Sequence, residues 1–171
     1  MLIIIYSLFG SFLVKYIDKK SNTSNRLYKV GIISLLALIL HNIPEGIITF
    51  ISTTHSLSLG LPLAISIAFH NIPEGIAISV PLYYGEKNKR KAIIYTLVAA
   101  LSEPLGAFIA FLFLQDINYY LFATILSLTS GIMIYLSIFE LIKESIKYRK
   151  NELLLYFFLG IIVMIISKLI I

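Results

Sequence analysis

Two identical copies of the heptapeptide His-Asn-Ile-Pro-Glu-Gly-Ile contain the side chains of this sequence that are best suited to chemistry. They occupy residues 41–47 and 70–76 and hold two of the three histidines and two of the nine acidic residues. In each copy the histidine and the glutamate are four residues apart, so a helix places both on one face. An imidazole and a carboxylate in that arrangement can bind one metal cation between them.

The other polar residues of the heptapeptide extend this potential site. Asn42 and Asn71 follow the histidines and offer a neutral carbonyl oxygen, which suits a transient ion site. Pro44 and Pro73 lack an N–H, so each frees a carbonyl one turn earlier and is expected to kink its helix. In a bilayer such a carbonyl must be satisfied by protein, water or a ligand. The heptapeptide therefore predicts a polar pocket.

Three more ionisable residues outside the heptapeptides deserve an assignment. Glu103 precedes a proline in the segment 102–107, and because no basic residue lies at that depth, we predict it as a further site member. Glu140 is open between two interpretations: a residue that guards the inner mouth, and a solvated helix-end acid near Lys143. His55 is expected in an outer loop, where a lone histidine is more often solvated than metal-binding.

Composition places these motifs in a membrane. Hydrophobic residues make up 58% of the chain and charged residues 13%, and the mean hydropathy is +0.92. Soluble domains are about 45–50% apolar and about 25% charged. Ionisable side chains at membrane depth are costly unless they pair or bind an ion, so those of the heptapeptides are functional candidates. The absence of cysteine excludes disulfides and thiolate metal sites.

Six apolar runs approach the length of about 20 residues that a membrane-spanning helix needs. We therefore predict an all-α, polytopic transmembrane helical bundle that forms a single domain over residues 1–171. The second and third helices are consecutive and antiparallel, so the two heptapeptides can face each other near mid-depth with approximate two-fold symmetry. The predicted helices are 1–17, 30–51, 61–84, 92–114, 120–142 and 153–171.

The loop charges predict the orientation of the bundle. Thirteen of the fourteen lysines and arginines lie in or beside three loops on one side, at 15–29, 87–91 and 143–150. The loops on the other side, 52–60 and 115–119, hold none. The positive-inside rule puts the basic loops in the cytoplasm and both termini outside. We expect a multi-pass protein of the inner (plasma) membrane that contacts the lipid bilayer. We expect no nucleic-acid partner.

The motifs resemble those of the ZIP (Zrt/Irt-like) family of divalent-metal transporters, and particularly its bacterial ZupT-like branch. The resemblance rests on the two heptapeptides, on the segment 102–107 and on the Gly-Ile-Met run with a following glutamate at 131–140. It covers nearly the whole chain and implies a two-metal centre. The ligands of the transported ion would be His41, Glu45, His70 and Glu74. A second ion would share the two glutamates and add Asn42, Asn71 and Glu103.

The sequence departs from the family pattern in two respects. Family members generally have eight spanning helices, so this chain would correspond to the third through the eighth. We expect either an incomplete reading frame, which is the preferred explanation, or a reduced protein that completes itself by pairing as a homodimer. Phe139 also stands where an acid often precedes the glutamate.

The residues and the resemblance together predict a secondary transporter, not an enzyme, that imports a divalent cation into the cytoplasm. Zn²⁺ is the first candidate, followed by Fe²⁺ and Mn²⁺, because mixed nitrogen and oxygen ligands suit all three. The sequence has no Gly-x4-Gly-Lys nucleotide-binding loop. Two alternatives stay open. One is an intramembrane metal-dependent hydrolase, in which a two-metal centre activates water. The other is a truncated remnant that binds metal without transporting it.

Overall fold

The computed structural model describes residues 2–21, 23–113, 118–148 and 152–169, and these residues are almost entirely helical, with no strand among them. The all-α prediction is confirmed, and each of the six predicted helices has a counterpart. Parts of the predicted loops 115–119 and 143–150, and the predicted helix ends at residues 1, 114 and 171, lie outside the described residues. The elements are α1 (Leu2–Lys20), α2 (Arg26–His55), α3 (Leu57–Glu86), α4 (Lys89–Phe113), α5 (Tyr119–Tyr135), a π-helix (Leu136–Ile142), α6 (Lys143–Ser145), a 3-10 helix (Ile146–Tyr148) and α7 (Leu153–Leu169).

Four of the described helices are long and apolar enough to cross a membrane. They are Arg26–His55, Leu57–Glu86, Lys89–Phe113 and Tyr120–Tyr148, the last of which includes the π-helix. α7 contains a shorter apolar stretch, Leu153–Ile166. The chain is therefore a multi-pass membrane protein, while the count of six spans and the outside termini stay predictions.

The helices extend beyond the apolar runs because polar residues cap them, so the loops are shorter than predicted. The predicted inner loop from Asp18 to Lys29 is reduced to the residues between α1 and α2. The side chain of Asn25 accepts a hydrogen bond from the Tyr28 N–H at 3.2 Å, which caps the start of α2. The same side chain donates to the Gly85 carbonyl at 2.6 Å and joins the start of α2 to the end of α3.

The predicted outer loop 52–60 is also wrong, because α2 and α3 form a tight helical hairpin at this end. Only Ser56 separates the two helices. A Cβ atom on Gly60 would collide with Thr53, so this glycine allows the helices to pack closely just after the turn. His55 is the last residue of α2, not a loop residue, and it is exposed.

The described helices pack as two groups. In the first group, α2 contacts both α3 and α4 extensively, and in the second, α1 contacts α5. The contacts between the groups are made mainly by α2 against α5 and the π-helix. α2 is the most buried of the long helices, and its side chains Ile33 and Leu38 lie in a core that also contains Val14 from α1 and Ile132 from α5.

Close backbone contacts hold the second group together. A Cβ atom on Gly10 of α1 would collide with the Leu128 carbonyl, and one on Gly131 of α5 would collide with the Ser7 carbonyl. The Ser7 hydroxyl in turn donates to the Ser127 carbonyl at 2.8 Å. Small residues and hydroxyl bonds of this kind are what joins helices where lipid removes the hydrophobic driving force.

Candidate metal centre

The antiparallel packing of α2 and α3 places the two heptapeptides opposite each other. His70 Nε2 lies 2.9 Å from Glu45 Oε1, and His41 Nε2 lies 3.7 Å from Glu74 Oε1. Each histidine thus contacts the glutamate of the other copy. These reciprocal contacts give the site the approximate two-fold symmetry that is expected when one motif occurs on two antiparallel helices.

Glu45 is the carboxylate that both histidines share. Its Oε1 atom lies 3.1 Å from His41 Nε2 in the same helix, as the four-residue spacing predicts, and 2.9 Å from His70 Nε2 in the next. His41, His70 and Glu74 each offer one ligand atom, and these atoms all lie within 4.8 Å of one another. The four side chains are only 13–21% exposed. Two imidazoles and one carboxylate at this separation, with Glu45 in contact with both imidazoles, form a suitable ligand set for a divalent cation.

Buried polar atoms that lack a hydrogen-bond partner are concentrated among the predicted site residues. Such atoms are rare in folded proteins, because each one that water cannot reach costs free energy. A cation bound among these atoms would satisfy their oxygen and nitrogen lone pairs. The unpartnered atoms of the predicted site are His41 Nδ1, Asn42 Oδ1, Glu45 Oε2, Asn71 Oδ1 and Glu74 Oε2.

Glu103 enters the site from α4 through a hydrogen bond to the second heptapeptide. Asn71 donates its amide N–H to Glu103 Oε2 at 2.6 Å. Glu103 is also close enough to Glu45 and His70 to interact with them electrostatically. The backbone of α4 can approach α2 this closely because residue 46 is glycine. A Cβ atom at this position would collide with the Glu103 carbonyl.

Asn42, the counterpart of Asn71, is held differently. Its side chain is buried, and its amide nitrogen donates to the Ala99 carbonyl of α4 at 3.1 Å. The Ser102 hydroxyl bonds to the same carbonyl at 2.5 Å. The structure therefore brings six of the seven predicted residues into contact with a second member of the set. Asn42 is fixed to α4 instead, with its oxygen unpartnered.

Glu140 is not the solvated helix-end acid that was one of its two interpretations. Its residue exposure is 1%, and its Oε2 atom lies 3.1 Å from Arg26 Nη2. The sequence predicts Arg26 in a basic loop and gives no sign of this pairing. The two residues are 114 positions apart, so no local spacing could have shown it.

The family model and the relatives that match this sequence are all described as zinc transporters. The family model described as ZIP zinc transporter matches residues 4–168. The zinc transporter ZupT of Clostridium perfringens is 41% identical over 145 residues, which are 84% of this chain and 51% of that protein. The zinc transporter ZupT of Streptococcus mutans is 38% identical over 158 residues, or 91% and 60% of the two chains. The zinc transporter ZupT of Oceanobacillus iheyensis is 44% identical over 131 residues, which are 76% of this chain and 49% of that protein.

The chain thus spans about half the length of the curated relatives that it matches. No solved structure matches it. The relatives are named as transporters and not as enzymes, so the metal-dependent hydrolase alternative finds no support among them.

Proposed function

Because this chain belongs to the ZIP zinc transporter family, we propose that it forms the metal path of a divalent-cation transporter, with Zn²⁺ as the ion carried. The observation that carries this proposal is the cluster of His41, His70 and Glu74, whose ligand atoms lie within 4.8 Å of one another beside Glu45. Mixed nitrogen and oxygen ligands suit Zn²⁺ and also Fe²⁺ and Mn²⁺. The names of the relatives favour zinc among the three.

In the proposed binding step, the cation exchanges its water ligands for imidazole nitrogens and carboxylate oxygens. Glu45 exchanges its hydrogen bonds to His41 and His70 for a bond to the ion. Ligands that are protonated in the empty site must lose those protons, because only deprotonated imidazoles and carboxylates bind a metal. The Asn71–Glu103 pair lies next to this cluster and would hold a second ion together with the shared glutamates. A bound ion then neutralises carboxylates that are otherwise expensive at membrane depth.

In the proposed transport step, the site moves as one body. All seven proposed ligands lie on α2, α3 and α4, which form one packed group, while α1 and α5 form the other. A small sliding movement between packed groups is a common form of alternating exposure. We propose that the ion moves into the cytoplasm across the plasma membrane, as the resemblance to the ZIP family implies; the loop charges bear only on the orientation of the chain.

The test is uptake of radiolabelled zinc into proteoliposomes that contain this chain, beside the variant Glu45→Gln/Glu74→Gln. We expect saturable uptake that the double variant loses, because the glutamine side chains cannot supply the negative charge that a cation requires. The matched control is Glu86→Gln/Glu152→Gln, which removes two carboxylates from residues outside the site and should leave uptake unchanged.

The possible outcomes separate two questions: whether the binding site is correct, and whether this chain alone transports zinc. Zinc binding that depends on Glu45 and Glu74, without uptake, would mean that the site is correct and that flux requires more of the protein than this chain. That result would favour the remnant alternative for the chain alone. Absence of both binding and uptake in a folded preparation would overturn the proposal.

Zinc affinity should fall with acidity. Protons compete with the cation for histidine nitrogens and carboxylate oxygens, so we expect affinity to drop at least about tenfold between about pH 7.5 and about pH 5.5. Isothermal titration calorimetry in buffers with different ionisation enthalpies would measure both the affinity and the number of protons released. An affinity that is constant across this range would argue against histidine ligands.

A further inference from the structure

The two helix groups are joined by ion pairs at one end. Among the described residues, three ion pairs run from the first turn of α2 to α1 or to the π-helix and α6, which continue α5 and belong to the second group. This end carries the basic segments that the positive-inside rule assigns to the cytoplasm. The pairs are Arg26–Glu140, Arg26–Glu144 and Lys29–Asp18.

Arg26 bridges two carboxylates that lie beyond α5. Its Nη2 atom is 3.1 Å from Glu140 Oε2, and its Nε atom is 3.1 Å from Glu144 Oε2. The planar guanidinium presents its donors in a fixed fork, which suits this double contact better than an ammonium would. The Glu140 side chain is only 2% exposed, so its charge depends on Arg26 for compensation.

Lys29, three residues after Arg26 in the same turn of α2, makes the third pair. Its Nζ atom is 2.8 Å from Asp18 Oδ1 at the end of α1. Asp18 also accepts a hydrogen bond from the Tyr135 hydroxyl at 3.2 Å, and Tyr135 is the last residue of α5. Asp18 therefore links α1 both to α5 and to α2.

The surroundings of these pairs leave room for movement. Glu140 lies in the π-helix, a wider and rarer helix form that is frequent at functional sites. A cavity of about 560 Å³ lies between α2, α3 and the segment beyond α5, and Glu144 is part of its wall. Ala77 and Val80 of α3 line the same cavity, so it lies between α3 of the site-bearing group and the segment beyond α5, next to the second heptapeptide.

We propose that Arg26 and Lys29, with Glu140, Glu144 and Asp18, form a cytoplasmic latch that holds the site-bearing helices in one position against α1 and α5. These ion pairs are partly shielded from water, and the Glu140 carboxylate is almost fully buried, so separating Arg26 from it would leave a buried charge without a partner. The latch therefore gives the two groups a defined closed position. Its release lets the groups shift against each other. The latch rests on the proposed function only for its consequence, which is a change in the access to the metal site.

The test measures the relative position of the groups and requires no metal. The chain has no cysteine, so Lys19→Cys on α1 and Lys89→Cys on α4 introduce two unique, exposed labelling sites, one on each group. Spin labels at these positions, measured by double electron–electron resonance in lipid nanodiscs, report the distance between the groups. We expect one dominant distance when the latch is intact.

Glu140→Gln and Arg26→Gln should each increase the population outside the dominant distance, by at least about threefold, because each variant removes a charge of the latch. The double variant should show no larger effect than Arg26→Gln alone, since both changes act on the same bond. The matched control is Glu86→Gln, which breaks the exposed Lys91–Glu86 pair between α3 and α4 and should leave the distance unchanged.

Folding is checked for each variant by size-exclusion chromatography and helical circular dichroism. If Glu140→Gln does not fold, Glu144→Gln replaces it, because the Glu144 side chain is more exposed, at 11%. An unchanged distance distribution in the folded latch variants would overturn the proposal. Loss of zinc binding or uptake would not, so failure of the latch and failure of the proposed function are separate results.

Discussion

Replacing His70 with alanine is expected to lower the affinity of the chain for zinc roughly 100-fold or more, and His41→Ala should act similarly. Either change removes one of the two imidazole ligands from the cluster, and even loss of a group that only orients a ligand costs roughly 10–100-fold. The affected nitrogens, the Nε2 atoms of both histidines, lie within about 3.1 Å of the Glu45 carboxylate. Isothermal titration calorimetry on the purified protein would measure the affinity.

His55→Ala is the matched control for these variants. His55 is the third histidine of the sequence, but it ends α2 as an exposed residue far along the helix from His41. Its replacement should leave zinc affinity within about twofold of the original value, since exposed substitutions away from a site have small effects. A loss of affinity that is equal for His55→Ala and His70→Ala would contradict the assignment of the heptapeptides as the binding site.

A second measurement guards against an indirect effect. His70→Ala leaves the partly buried Glu45 carboxylate with fewer partners, so the variant also loses stability. Combining it with Glu45→Gln removes the uncompensated charge and should restore part of the melting temperature, but not the zinc affinity. Zinc at about 100 times the dissociation constant of the unmodified chain should stabilise that chain by about 2.7 kcal/mol. The same zinc concentration should stabilise the double variant much less.

Gly46→Ala is expected to destabilise the protein by at least about 1–3 kcal/mol, whereas Gly75→Ala should be close to neutral. The two glycines occupy the same position in identical heptapeptides. A Cβ atom on Gly46 would collide with the backbone carbonyl of Glu103, and backbone cannot move aside without shifting α4. A Cβ atom on Gly75 would lie 3.6 Å from Thr96 Cγ2, which is an ordinary contact.

Thermal unfolding of the two variants in detergent would measure this difference directly. Gly46→Ala should also weaken zinc binding, because displacement of α4 moves Glu103 away from the amide of Asn71. Gly160→Ala, where a Cβ atom would meet nothing within 4 Å, provides a control for the general effect of alanine in an apolar helix. Equal melting temperatures for Gly46→Ala and Gly75→Ala would show that the close approach of α2 and α4 is unimportant.

Features that depend on short distances along the chain follow from the order of the residues alone. The lengths of the apolar runs indicated the helices, and the four-residue spacing indicated that His41 and Glu45 share a helix face. The succession of two short-linked helices indicated that the heptapeptides meet, and His70 does contact Glu45. Each of these inferences needs only helix geometry and the thickness of a bilayer.

The rotation of each helix about its axis, and the contacts between residues that are distant in sequence, become visible once the helices are packed. Ile47 and Ile76 end identical heptapeptides, yet their exposures are 7% and 56%. The physical reason is that apolar side chains face lipid as readily as protein, so an apolar helix has no hydrophobic stripe to identify its packed face. The same ambiguity hid the pairing of Arg26 with Glu140. Helix packing makes that contact, and no spacing in the sequence encodes it.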